Sequence, residues 1–200
     1  MKTQTLRSLL VAFCSLAIFS SLDATTVIPP TFDELVGQAE LIFEGTVTEA
    51  KSQFAGEGGQ RHIVTYVTFK VEEAIKGQPG ASYTLRMLGG TVDGQTMQVS
   101  DSPRFKVGDR DILFVENNGK QFIPLVGIMH GRFRVQKDNQ SGAEVVTSDH
   151  GDAVTDLAQL GKEDHAGASA NAAAARTAGP LRAVDFKAAI RAKLGNSAAK

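Results

Sequence analysis

The chain has 200 residues, 42% of them apolar, and a formal net charge of −1. That is enough apolar chain to bury a core, which excludes wholesale disorder, and the near-neutral balance gives no footing for a nucleic-acid or anionic-membrane partner. Twenty glycines against two tyrosines and no tryptophan point to many turns around an aromatic core built on phenylalanine.

The N-terminal stretch reads as an export signal. Lys2 and Arg7 precede an apolar run, Leu9 to Phe19, and small and polar residues follow to Ala24. The run is shorter than the roughly 20 residues a membrane span needs. A secretory signal over residues 1–24, cleaved after Ala24, is therefore expected, with a periplasmic or extracellular destination and no stable membrane span afterwards. Cys14, the sole cysteine, falls in this run. The mature chain then has no disulfide and no thiol chemistry, and holds together by its core alone.

Thr31-Phe32-Asp33-Glu34 fits a capping box and predicts a short helix from Phe32 to about Ala39. Leu41 to Ala50 alternates as a strand, with Gly45 on its core face marking a bend or close approach. Ile63 to Gly77 is the strongest strand: Val67, Phe69 and Val71 share a face expected to meet Leu41, Phe43 and Val47. Ser82–Leu88 follows, and then Thr96–Val99 pairs back across Asp93-Gly94. Asp111–Glu116 is apolar on both faces, and Phe122–Ile128 is expected to run back beside it. Gly131–Gln136 and Glu144–Thr147 form a last hairpin. Many short strands with glycine-rich turns and no long helical pattern between them predict a mainly β barrel or sandwich.

Beyond residue 150 the pattern changes. Residues 151–179, with the run Ala172 to Ala175, read as a flexible Ala/Gly-rich linker. Residues 180–200 become periodic again and predict an amphipathic C-terminal helix, with Asp185 as N-cap and Gly195 as C-cap. A lone helix of that length needs something to dock on.

The chain carries no G-x-S-x-G elbow, no H-E-x-x-H signature and no phosphate-loop spacing. No catalytic residue, metal set or cofactor is predicted. Glu72 and Glu73, adjacent in a strand, are expected to point to opposite faces. His62, Arg86, Arg104, His130 and Arg132 border strands near apolar or aromatic residues and are the candidate partner-contact residues.

Three stretches carry a resemblance: A-E-L-I-F-E-G-T-V (Ala39–Val47), V-T-F-K-V-E-E-A-I-K-G (Val67–Gly77) and F-K-V-G-D-R-D-I-L-F-V (Phe105–Val115). In that order they resemble a group of uncharacterised exported bacterial proteins and, more distantly, netrin-like modules such as tissue inhibitors of metalloproteinases. The resemblance implies a small closed or partly open OB-like β-barrel over residues 25–150. It does not carry the inhibitors' zinc-binding N-terminal cysteine, since the expected mature start is Thr25-Thr26. The expected function is an exported non-catalytic binding module for a protein or glycan partner. The alternatives are a protease-inhibitor-like module acting through Thr25–Pro30, and a hydrolase using His62 and His130.

Overall fold

The computed structural model describes residues 28–139, 141–162 and 179–198. The expected signal, the mature start at Thr25 and the alanine run 172–175 lie outside the described residues.

Helix α1 (Phe32–Gln38) opens on the predicted capping box. The Glu34 amide donates to the Thr31 hydroxyl, and the Thr31 amide donates back to the Glu34 carboxylate at 2.8 Å. The chain then runs through β1 (Leu41–Ala55), β2 (His62–Lys76) and β3 (Ser82–Leu88). A two-stranded ribbon, β4 (Gly90–Val92) and β5 (Gln95–Met97), turns on Asp93-Gly94, both at positive φ. The remaining strands are β6 (Arg110–Val115), β7 (Arg132–Lys137) and β8 (Glu144–Ser148), followed by helix α2 (Ala183–Ala198). Six strands form one antiparallel sheet in the order β3-β2-β1-β6-β7-β8.

The β1–β2 hairpin places Val47 opposite Phe69 and Gly45 opposite Val71. Phe43, Val47, Val67 and Phe69 accordingly share one buried cluster, with Leu41 and Val71 packed against it. A Cβ on Gly45 would come within 2.8 Å of the Lys70 carbonyl oxygen, so this strand needs glycine where it crosses β2. Neighbouring residues alternate between two clusters: Phe43, Leu113 and Val115 enter this one, while Ile42, Ile112 and Phe114 enter the other. Both faces are covered along β6 and along the first part of β1, up to Val47.

The strand ladder does not close into a ring, so the closed form of the expected barrel is not found. Its two ends are β3 and β8. The predicted strand Phe122–Ile128 makes a single bridge, Val115 to Leu125, rather than a ladder. Pro124 has no amide to donate, and Gly127 and Ile128 turn left-handed at φ 61° and 62°, which ends the extension. The segment does run back beside the end of β6, where the Glu116 amide donates to the Pro124 carbonyl at 3.2 Å and the Val126 amide to the Phe114 carbonyl at 3.0 Å, and it also blunts the edge of β3. The Leu88 amide donates to the Phe122 carbonyl at 2.7 Å, the Arg86 amide to Asn118 Oδ1 at 3.0 Å, and Asn118 Nδ2 to the Thr84 carbonyl at 2.8 Å. The β8 edge is blunted in the same way by residues 152–154 and 181–182. Edges with partners in their own chain resist pairing with another.

Helix α2 docks on this sheet. Ala183, Phe186 and Ile190 are buried among α1 and the second cluster, and the Phe186 ring meets Phe133 at 4.8 Å and Phe32 at 6.0 Å between centroids. Asp185 lies in the first turn rather than at the N-cap, and Gly195 does not end the helix. Packing of the apolar face outweighs the roughly 1 kcal/mol that glycine costs a helix.

Two stability predictions follow from these contacts. Phe186→Ala should cost about 3–5 kcal/mol in urea unfolding followed by circular dichroism of the sheet, because the helix is part of the core. Asn118→Ala should cost about 1–3 kcal/mol in the same measurement, by leaving backbone groups of β3 without partners.

Candidate functional site

The most constrained polar group is Arg132, at the start of β7 and 2% exposed. Its Nε and Nη2 donate to the two oxygens of Asp111 at 2.9 and 3.1 Å. Nη2 also reaches Asp109 at 2.8 Å, and Nη1 reaches Asp149 at 3.0 Å and the Arg104 carbonyl at 2.8 Å. The guanidinium carbon lies 4.1 Å over the Phe105 ring. A planar group with five donors suits this arrangement; a lysine could not make it. Asp111 lies on β6, and burial pushes its carboxyl up to about 6, against the opposing pull of Arg132.

Two clefts flank this hub. The first, of about 300 Å³, lies between β2–β3 and the β4–β5 ribbon. Its walls include Val67, Met87, Met97 and Val99, and its lining continues through Gln98, Ser102 and Arg104 to Phe105. The ribbon sits close on the hairpin: the Thr65 hydroxyl donates to the Gly89 carbonyl at 2.6 Å, and a Cβ on Gly90 would strike the hydroxyls of Ser52 and Thr65. The side chains of Gln98, Ser102 and Arg104 have no hydrogen-bond or ion-pair partner among the described residues.

The second cleft, of about 320 Å³, gathers Pro29, Pro30, His130, His150 and the carboxylates of Asp149, Asp152 and Asp156. Burial, together with the neighbouring His150, lowers the pKa of His130, while Asp101 and Asp149 oppose that shift. Ile128, two residues before, holds φ 62°, a strained value for a β-branched side chain. Its carboxylates already have work within the chain: Asp149 pairs with Arg132, and Asp156 accepts the Ala158 amide at 2.9 Å.

The five residues singled out from sequence do not converge. Arg104 lines the first cleft; His130 and Arg132 line the second, with Arg132 committed to carboxylates rather than open to a partner. Arg86 lies on β3 and lines neither. His62 lies opposite Ala55 at the end of the β1–β2 hairpin, its Nδ1 2.9 Å from the Gln60 carbonyl, and also lines neither. The structure does not bring His62 to His130.

A second ion network runs under α2. Buried Glu44 pairs with both Arg110 and Lys187; Arg110 also binds Glu72 and Glu144, and Lys187 also binds Glu73. Glu72 and Glu73 therefore work on the same side of the sheet, against the alternation expected of neighbours. The reason is a register shift: Glu44 faces Glu73 while Gly45 faces Val71, which leaves Glu72 as the extra residue of a bulge. The sequence signal for Glu44 was a lone carboxylate inside the apolar run Leu41–Val47.

Among the described residues no three His, Cys, Asp or Glu side chains are grouped to hold a metal ion, and no helix is long and apolar enough to cross a membrane.

Asp111 gives a pH dependence of definite sign. Its folded pKa of about 6 lies above the ordinary 3.8, so the folded state holds this proton more tightly than the unfolded state does. The stability it contributes is complete below about pH 4 and is lost as pH rises through 6. The unfolding free energy of the wild type minus that of Asp111→Asn should therefore fall by about 1–3 kcal/mol between pH 4 and 7. A flat difference in urea titrations would show that Asp111 is not so shifted. No family model, curated protein or solved structure matches the chain, so its own residues carry the functional reading.

Proposed function

We propose that this chain is an exported, non-catalytic binding module that takes a protein or glycan partner in the cleft between β2–β3 and the β4–β5 ribbon. One observation carries the reading. Among the described residues that cleft offers the side chains of Arg104, Gln98 and Ser102 without partners beside an apolar wall, whereas the carboxylates Asp149 and Asp156 of the other cleft are engaged within the chain. A few uncommitted polar groups around an apolar pocket are what a ligand site requires.

The framework is read as a partly open OB-like barrel. The order β3-β2-β1-β6-β7 supports this, with the segment 117–126 lying along the β3 edge. Barrels of that kind bind ligands on the face of their second and third strands, the strands that flank this cleft. Fold alone does not assign a ligand, so the uncommitted side chains decide the choice of site. Strand addition is disfavoured as a binding mode, because both sheet edges are blunted.

A photo-reactive residue placed at Gln98, and separately at Thr155 in the second cleft, tests the reading in the compartment of origin. Crosslinks should form from position 98 and drop at least about fivefold with Arg104→Ala, while the melting temperature stays unchanged. Crosslinks from 155 alone, or substrate turnover by the purified chain, would refute it.

A further inference from the structure

The lining of the first cleft also limits what can occupy it. It contains no carboxylate, and its one charged residue is Arg104. A chain of net charge −1 thus presents a locally cationic rim. Arg104 is exposed, but its backbone is not loose: its carbonyl receives the Arg132 Nη1 bond at 2.8 Å. The guanidinium therefore projects from a fixed base with its donors unpaired among the described residues, suited to a carboxylate.

The walls distinguish between the two partner classes. A sugar ring packs its C–H face on a flat aromatic plate. Phe105, the aromatic residue of this lining, has Phe69 edge-on at 5.4 Å and the Arg132 guanidinium over its ring. The rest of the apolar lining is Val67, Met87, Leu88, Met97, Val99 and Pro103. Thioethers and branched aliphatics adapt to an aliphatic side chain and offer no plate.

Resting on the binding-module reading above, we infer that the occupant is an acidic peptide segment of a protein partner. An aliphatic side chain sits against Val67, Met87, Met97 and Val99, and a neighbouring carboxylate meets Arg104. The cleft of about 300 Å³ accommodates one such side chain with its flanking backbone. Charge complementarity sets the preference, and apolar burial supplies the attraction.

The methionines make the test direct, because Met87 and Met97 line this cleft and Met129 lines the other. The full chain, labelled at methionine methyls, is titrated by NMR with acetyl-Gly-Leu-Asp-Gly-amide, its Leu-Asn and Leu-Lys analogues, and an oligogalacturonate. The acidic peptide should move the Met87 and Met97 signals and leave Met129 in place. The Leu-Asn analogue should bind about fivefold more weakly, the worth of one exposed ion pair. Arg104→Glu should reverse the preference toward the Leu-Lys peptide. Equal binding of the Leu-Asp and Leu-Asn peptides, or movement by the oligogalacturonate alone, overturns the inference while leaving the cleft as the binding site. If no ligand moves Met87 or Met97 at millimolar concentration, the inference and the site fall together.

Discussion

A guanidinium with almost no exposure to water exists here only because three carboxylates and a carbonyl surround it. Moving such a charge out of water costs several kcal/mol, and only near-complete hydrogen bonding offsets that. Arg132 therefore forces an arrangement on its surroundings. The turn bearing Asp109, the strand bearing Asp111, the loop bearing Asp149 and the backbone at Arg104 must all arrive together. Each of the two clefts owes a wall to this convergence, since Arg104 and Phe105 belong to one and Asp149 to the other.

The Glu44 network does for α2 what Arg132 does for the loops. Apolar burial of Phe186 and Ile190 supplies most of the attraction between helix and sheet. The pairs from Lys187 to Glu44 and Glu73, and from Arg191 to Glu73, select the register in which that burial occurs. A bulge at Glu72 is what lets two adjacent glutamates serve one network.

The incomplete ladder also has a functional side. Because β3 is capped by Asn118 and the Phe122 carbonyl rather than by another strand, the sheet is blunted at its terminal strands without full closure. What is left for a partner is concave surface, and the cleft under the β4–β5 ribbon holds the Arg104 guanidinium, unpaired among the described residues, beside an apolar wall. The histidines His130 and His150 share the other cleft, away from that group.

Sequence alone determined the local structure. The capping box at Thr31, the alternation in Ile63–Val71 and the Asp93-Gly94 turn each depend on a few neighbouring residues. Periodicity and turn chemistry act at that range. The run expected over Phe122–Ile128 does return beside β6, but Pro124 and the left-handed turn at Gly127-Ile128 shorten it to a single bridge, and how short it is depends on the surrounding edge. Tertiary structure decided the site. Arg132 and Arg104 look alike in sequence, yet one is buried among aspartates and the other free at a rim. Which arginine is committed depends on carboxylates up to 23 positions away, brought in by the β6–β7 register and by loops that no local pattern specifies.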